Sequence, residues 1–152
     1  MKISELKNII SELLVESFET EATAQEYHQI SPVLSVEAYQ WLLIWTWAAP
    51  RELPPDEIIQ ELAQLRPPSS QILYRYIPIK GINLEPSKTL VSYNTTIEQA
   101  FDSFGDDIDF YLRVSDVMPE NILIQMNRIP GIKQMRDLLE DEVIVFNKYP
   151  HS

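Results

Sequence analysis

A chain of 152 residues has room for one hydrophobic core and little room for a second. Its formal net charge of −11 argues against a direct nucleic-acid partner, because phosphate backbones bind surfaces rich in lysine and arginine. The chain has no cysteine, which excludes disulfides, thiolate nucleophiles and cysteine-based zinc sites.

Helical periodicity dominates the first 68 residues. Apolar residues recur three or four apart from Ile3 to Phe18, which predicts an amphipathic helix, and a less regular pattern indicates a second helix over Glu21–Gln29. Ser35 is placed to cap a third helix, Val36–Trp47, which is apolar nearly all round and ends before Pro50. We expect this third helix, with its three tryptophans, to be the buried centre of the fold. A short fourth helix is predicted to begin near Pro54 and to end before Pro67, packing Ile58, Ile59, Leu62 and Leu65.

After Ser70 the pattern changes to short β-branched and aromatic runs, bounded by proline, glycine and polar residues. Helices followed by strands predict an α+β fold, with a single domain over 1–152. We expect a helical lobe over 1–68 and a β core over 69–150. The predicted elements of the second half are strand Gln71–Ile77, strand Leu90–Thr95, helix Ile97–Phe104, strands Phe110–Val114 and Ile122–Met126, a helix or ordered loop over Ile132–Leu139, and strand Val143–Phe146.

No segment of the sequence predicts a membrane or exported location. Residues Met1–Glu5 are acidic and amphipathic, without the charged-then-apolar order of a signal peptide. The longest apolar run, Ala38–Ala49, is shorter than the roughly 20 residues that cross a bilayer. We therefore expect a soluble, cytoplasmic protein with no membrane partner.

Polar side chains interrupt the apolar pattern at three places in the second half. Arg75 follows Tyr74 inside an apolar strand, where an isolated charge is costly to bury. Ser92 and Asn94 lie where the second strand passes into the helix that carries Phe101.

The third place is the acidic run Glu140-Asp141-Glu142, which leads directly into the last strand. Strand alternation would put Glu140 and Glu142 on one face, with Asp141 opposite. Each of the three features also has a structural interpretation. Arg75 could be a salt-bridged strand arginine, Ser92 part of a strand end and helix cap, and the acidic run a solvated turn.

In their order along the chain, these motifs resemble the R-S-E class of mono-ADP-ribosyltransferases. Arg75 matches the strand arginine of that class, Ser92 the serine-centred strand, and Glu140 with Glu142 the Glu-x-Glu motif. The resemblance covers residues 71–146, about half of the chain. It departs from the family pattern at Tyr76, where a glycine is frequent, and at Asn94, which replaces a second serine.

The resemblance implies an enzyme that uses NAD as a co-substrate and transfers ADP-ribose to a protein target, on an arginine side chain. It implies that Glu142 is the central catalytic acid and that Glu140 helps to activate the guanidinium acceptor. The residues implied to bind NAD are Arg75, Tyr74, Ser92, Asn94 and Phe101. A small acidic chain of this kind would also suit a phage or bacterial effector.

A second hypothesis is a catalytically eroded module of the same fold that acts as a protein-binding inhibitor, with Tyr76 and Asn94 as signs of erosion. Other chemistries find little support in the sequence. Three glycines form no phosphate-binding loop of the P-loop or Rossmann type, and two widely separated histidines predict no metal site. Trp41, Trp45 and Trp47 are expected to be core residues, and Lys80, Lys88 and Lys133 solvated charges.

Overall fold

The computed structural model describes residues 20–48, 50, 52–102 and 109–147. The amphipathic helix predicted from Ile3 to Phe18 lies outside these residues. Within them, three helices precede a five-stranded sheet, and a fourth short helix follows the second strand, which confirms the α+β fold. The helices are α1 (20–30), α2 (Val36–Ala48), α3 (Asp56–Ala63) and α4 (Ile97–Asp102).

The second helix, α2, begins as the sequence predicts. The Oγ atom of Ser35 accepts a hydrogen bond of 3.1 Å from the Ala38 amide, which satisfies one of the free N–H groups of the first turn. Tyr39, Leu42 and Leu43 are buried on the side of α2 that contacts the rest of the protein. The expectation of burial all round was wrong for Trp47, which is 48% exposed, because a helix layered on a sheet keeps one side toward water.

The strands of the sheet are β1 (Gln71–Pro78), β2 (Leu90–Asn94), β3 (Phe110–Val117), β4 (Ile122–Gln125) and β5 (Glu142–Phe146). They are antiparallel throughout, in the order β3-β1-β2-β5-β4. The first and last strands along the chain, β1 and β5, therefore lie on either side of β2 in the middle of the sheet.

The predicted bounds of the five strands differ from the structure by one to three residues at one end of each strand. The third strand continues three residues past Val114, because it pairs with β1 along its whole length. Of the two possibilities predicted for Ile132–Leu139, the structure has the ordered loop, with a 3₁₀ turn over Ile132–Gln134 followed by further turns. The connection between β1 and β2, for which no element was predicted, is a 3₁₀ segment over Ile79–Ser87.

The two faces of the sheet contribute to two separate apolar clusters. Leu90 and Ile144 pack with the helices in the larger cluster, whereas Val91 and Val143 belong to the smaller cluster on the opposite face. This alternation follows the period of two of an extended strand. Glu142 begins β5 and so shares the face of Ile144, toward the helices.

The contact between β1 and β2 is much narrower than the contacts on either side of it. These two strands share one register pair, Tyr74 opposite Asn94, whereas β1 and β3 pair over eight residues. The sheet is thus divided into a β3–β1 ribbon and a β2–β5–β4 ribbon that meet at this narrow contact, which we call the seam. None of the helices in the described part of the chain is long and apolar enough to cross a membrane.

Candidate active site

The strand order brings the three predicted motifs together. Arg75 lies in β1, Ser92 in β2 and Glu142 at the start of β5, and these three strands are consecutive in the sheet. The Arg75 Nη1 group donates a hydrogen bond of 2.9 Å to the Ser92 carbonyl, and the Ser92 hydroxyl donates one of 2.5 Å to Glu142 Oε2. Ser92 is therefore hydrogen-bonded to both of the other residues, to Arg75 through its backbone carbonyl and to Glu142 through its hydroxyl.

Glu142 is deeply buried, with 5% of its surface exposed. Its Oε2 atom accepts the Ser92 hydroxyl and, at 3.2 Å, the indole N–H of Trp45 from α2. Its Oε1 atom is also buried and has no hydrogen-bond partner among the described residues. Burial raises the pKa of Glu142 above its ordinary value, although the bonds from Ser92 and Trp45 act in the opposite direction.

Trp45 has a role that the sequence did not indicate. The prediction of a core residue is confirmed, since Trp45 is buried and stacks on Trp41 with ring centroids 5.8 Å apart. Its N–H group nevertheless donates to Glu142, because a buried indole N–H usually requires a polar partner. Nothing in the local pattern of α2 signals this contact, because the two residues are 97 positions apart.

Arg75 is held by a carboxylate as well as by Ser92. Its Nε group donates to Glu85 Oε2 at 3.1 Å and its Nη2 group to Glu85 Oε1 at 2.6 Å, in a two-pronged ion pair. The structural interpretation of Arg75 as a salt-bridged strand arginine therefore describes its present contacts. Only 12% of its side chain is exposed, so this pairing also satisfies a largely buried charge.

Glu85 is the residue of the site that sequence reasoning missed. It is 1% exposed, although it lies in the irregular 3₁₀ segment between β1 and β2. Burial alone would raise its pKa, but the hydrogen bonds and charges of Arg75 and Lys88 outweigh burial and lower it. The Lys88 Nζ atom lies 3.0 Å from Glu85 Oε1, which corrects the expectation that Lys88 is only a solvated charge.

A pocket of about 230 Å³ opens beside this network. Its wall includes Arg75 and Lys88 together with Ser92 and Trp45, so that cationic groups and an aromatic ring face one cavity. Small-molecule sites commonly enclose about 300–1,000 Å³. A dinucleotide would therefore fill this pocket with only part of its length and continue outside it.

A larger pocket of about 460 Å³ lies elsewhere, against the smaller apolar cluster. Val91, Tyr93 and Val145 contribute to its wall, and none of Arg75, Ser92 or Glu142 does. Volume alone would favour this second pocket, but Arg75 and Ser92, and Trp45 that donates to Glu142, line the smaller one. We therefore place the candidate active site at the smaller pocket.

Of the other predicted site residues, Asn94 and Tyr74 lie near Glu142, whereas the side chain of Phe101 is not described. Asn94 lies opposite Glu142 on one side and Tyr74 on the other, so the backbones of these three residues are adjacent at the seam. The backbone of Phe101 belongs to α4, and its side chain lies outside the described part of the structure.

Glu140 does not share a strand face with Glu142, and that prediction was wrong. The fifth strand begins only at Glu142, and the Glu142 amide donates to the Leu139 carbonyl at 3.1 Å, which closes a turn. Glu140 is half-buried within that turn. Strand alternation therefore says nothing about the direction of its side chain.

Searches for known relatives add no further constraint. Comparison of the chain with protein-family models, curated proteins and solved structures finds no match in any of the three. Within the described ranges, no group of three or more histidine, aspartate or glutamate side chains is arranged to hold a metal ion.

Proposed function

We propose that this protein is an NAD-dependent mono-ADP-ribosyltransferase that modifies a protein side chain, with Glu142 as its central acid. The observation that carries the proposal is that Ser92 links Arg75 to Glu142 by hydrogen bonds, beside a pocket whose wall includes Arg75, Ser92 and Trp45. The sequence separates these residues widely, and the resemblance requires that they act together.

The chemistry assigned to Glu142 is charge stabilisation. In the proposed transfer, the bond between the ribose anomeric carbon and the nicotinamide nitrogen breaks and nicotinamide leaves with the electron pair. A nitrogen of the acceptor forms the new bond and loses a proton. Positive charge develops on the ribose, and a carboxylate in a water-poor site stabilises such charge more strongly than one in water.

The contacts of Glu142 suit this role. Ser92 and Trp45 fix Oε2, which leaves the buried Oε1 as the oxygen that a ribose hydroxyl could meet. A carboxyl group held in this way needs little reorganisation when charge develops nearby. At the other end of the site, Arg75 and Lys88 would attract the pyrophosphate of NAD, although the protein as a whole is strongly acidic.

The acceptor is proposed to be an arginine of a target protein, on the ground of the Glu-x-Glu motif. Glu140 would act on the incoming guanidinium from the turn before β5. This position is compatible with an acceptor that approaches from outside, because Leu139 in the same turn is exposed and Glu140 is only half-buried.

One observation favours the alternative of an eroded, protein-binding module. Two N–H groups of Arg75 already donate to Glu85, so a pyrophosphate would have to compete for them. In the alternative, the same ion pair is purely structural and the acidic surface binds a basic partner without NAD.

Nicotinamide release from NAD tests the proposal. We expect Glu142→Gln to lower the rate by about 100-fold or more, as the loss of a preorganised charge-stabilising group commonly does. Glu120→Gln, at an exposed position, changes the net charge equally and should leave the rate unchanged. Glu140→Gln should keep NAD hydrolysis but lose transfer to agmatine, a small guanidine acceptor. Equal background rates for wild type and Glu142→Gln would reject the enzyme and favour the alternative.

A further inference from the structure

The contacts of Glu85 have the geometry of a bound anion. Its two oxygens accept from the Nε and Nη2 groups of Arg75 at 3.1 and 2.6 Å, and both atoms are deeply buried. The same two donors of an arginine make the two-pronged bond to a phosphate group. A carboxylate and a phosphate cannot both accept these N–H groups at once.

We propose that Glu85 is an internal ligand of Arg75, which competes with the pyrophosphate of an incoming nucleotide and so sets the affinity of the site for anions. This inference rests on the proposed function, because it takes Arg75 to be a ligand of the pyrophosphate. In this inference, Glu85 is a residue that weakens the binding of a nucleotide.

The surroundings of Glu85 allow such an exchange. Once Arg75 turns to a ligand, Glu85 still has Lys88 at 3.0 Å and Arg113 Nη1 at 3.8 Å. The carboxylate would therefore not be left as an isolated buried charge, which is the usual large cost of breaking a buried pair. The Glu85 carbonyl is held independently, since the Asn147 side chain donates to it at 2.7 Å.

The location of Arg75 makes the competition relevant to the pocket. Arg75 and Lys88 both belong to the wall of the 230 Å³ pocket, and the Nη1 group of Arg75 is bonded to the Ser92 carbonyl. Three of the five N–H groups of the guanidinium are thus engaged by the protein. A ligand that reaches Arg75 gains its strongest bonds only if Glu85 releases it.

Isothermal titration with ADP, which carries a diphosphate, measures the competition directly. We expect Glu85→Gln to bind ADP about tenfold more tightly than the wild type, because a neutral amide holds the guanidinium less strongly than a carboxylate. Arg75→Gln should weaken ADP binding. The double variant Arg75→Gln/Glu85→Gln should not show the tighter ADP binding expected of Glu85→Gln. Glu120→Gln is the matched control for net charge and should bind like the wild type.

Folding is checked by a thermal melt before each titration. If Glu85→Gln is unfolded, Glu85→Asp replaces it, because it keeps the charge but shortens the side chain, and it should also tighten ADP binding. The inference is overturned if the folded Glu85 variant binds ADP no more tightly than the wild type while ADP binding still depends on Arg75. The proposed NAD site would not be overturned by that result. If ADP binds neither the wild type nor any variant, both the inference and the proposed NAD site are overturned.

Discussion

Glu142 is a carboxyl group that the fold removes from water, and among the described residues its donors are Ser92 and Trp45. Its raised pKa means that the folded state favours the protonated form more than the unfolded chain does. The stability gained in this way is complete below the unfolded pKa, about 4.3, and is lost as the pH rises through the higher pKa of the folded protein.

The first prediction concerns this pH dependence. Glu142→Gln should exceed the wild type in free energy of unfolding at neutral pH, by about 1.4 kcal/mol for each unit by which the pKa is raised. The advantage should shrink as the pH falls toward 4. Urea denaturation between pH 4 and 8 measures it, and Glu140→Gln serves as the control. A difference in stability that does not vary with pH would contradict the prediction. If Glu142 acts as a carboxylate in the proposed reaction, NAD cleavage should rise over the same pH range.

The contribution of Glu85 to stability should have the opposite pH dependence. Its pKa is lowered in the folded state, so its contribution to stability is present above about pH 4.3 and is lost as the pH falls through the folded-state pKa. We expect Glu85→Gln to lower the free energy of unfolding at pH 7 by about 3 kcal/mol, because Arg75 loses its charged partner in a buried site. The deficit should narrow below pH 4 in acid-denaturation curves. A constant deficit at every pH would show that the charge of Glu85 is not its cause.

Among the secondary-structure elements, α2 and α3 are joined by one serine. Besides capping α2, Ser35 donates its hydroxyl to Glu61 Oε2 at 2.8 Å and its amide to Glu61 Oε1 at 2.6 Å. The cap was predicted from the sequence, whereas the tie to α3 was not. A single side chain thus fixes both the start of one helix and the position of the next.

This double role leads to a prediction about coupling. Ser35→Ala should cost about 1–2 kcal/mol of stability, since it removes the cap and one bond to Glu61. Glu61→Gln should cost less, and the double variant should cost less than the sum of the two, with a coupling of about 0.5 kcal/mol or more. Guanidinium denaturation of the four proteins completes the cycle. Strict additivity would mean that the bond between the Ser35 hydroxyl and Glu61 contributes nothing to stability.

At the scale of the whole molecule, the seam divides the sheet. One register pair joins β1 to β2, while the ribbons on either side are paired along most of their length. Regions joined by few contacts open with lower free energy than regions embedded in the main core. The larger apolar cluster includes Ile144 of β5, whereas no residue of β1 or β3 belongs to its buried members.

We therefore predict two classes of hydrogen exchange. Amides of β1 and β3 should exchange through an opening of lower free energy than amides of β2 and β5, as measured by mass spectrometry of the native protein. Arg75→Gln should widen the difference, because it removes the bond that crosses the seam to Ser92. Equal protection in both ribbons would show that the sheet opens as one unit.

The fold could be predicted largely from local patterns. Alternation and proline boundaries located β1 and β2 to within one residue, and the Ser35 cap located the start of α2. Turns were harder to predict, because the backbone of a turn depends on contacts with neighbouring elements rather than on a repeating pattern. The start of β5 was also predicted to within one residue, but strand alternation was wrongly extended back to Glu140, which lies in a turn.

The candidate site was predictable only in part, for a physical reason. Arg75, Ser92 and Glu142 are polar residues within apolar strands, and such exceptions are visible in a sequence. Glu85 lies in a segment without periodic pattern, and Trp45 has the same apolar neighbours as any core tryptophan. Their roles arise from pairings that exist only after the chain has folded.

The contact of Trp45 with Glu142 also gives the protein a built-in optical probe. The emission of an indole responds to charges beside it, and the Trp45 ring lies against the carboxyl group and in the wall of the pocket. Ionisation of that acid, or a nucleotide that enters, would change the fluorescence of this ring, while the more exposed Trp47 provides a steadier background. Binding of the proposed nucleotide could thus be tested by fluorescence in the unlabelled protein.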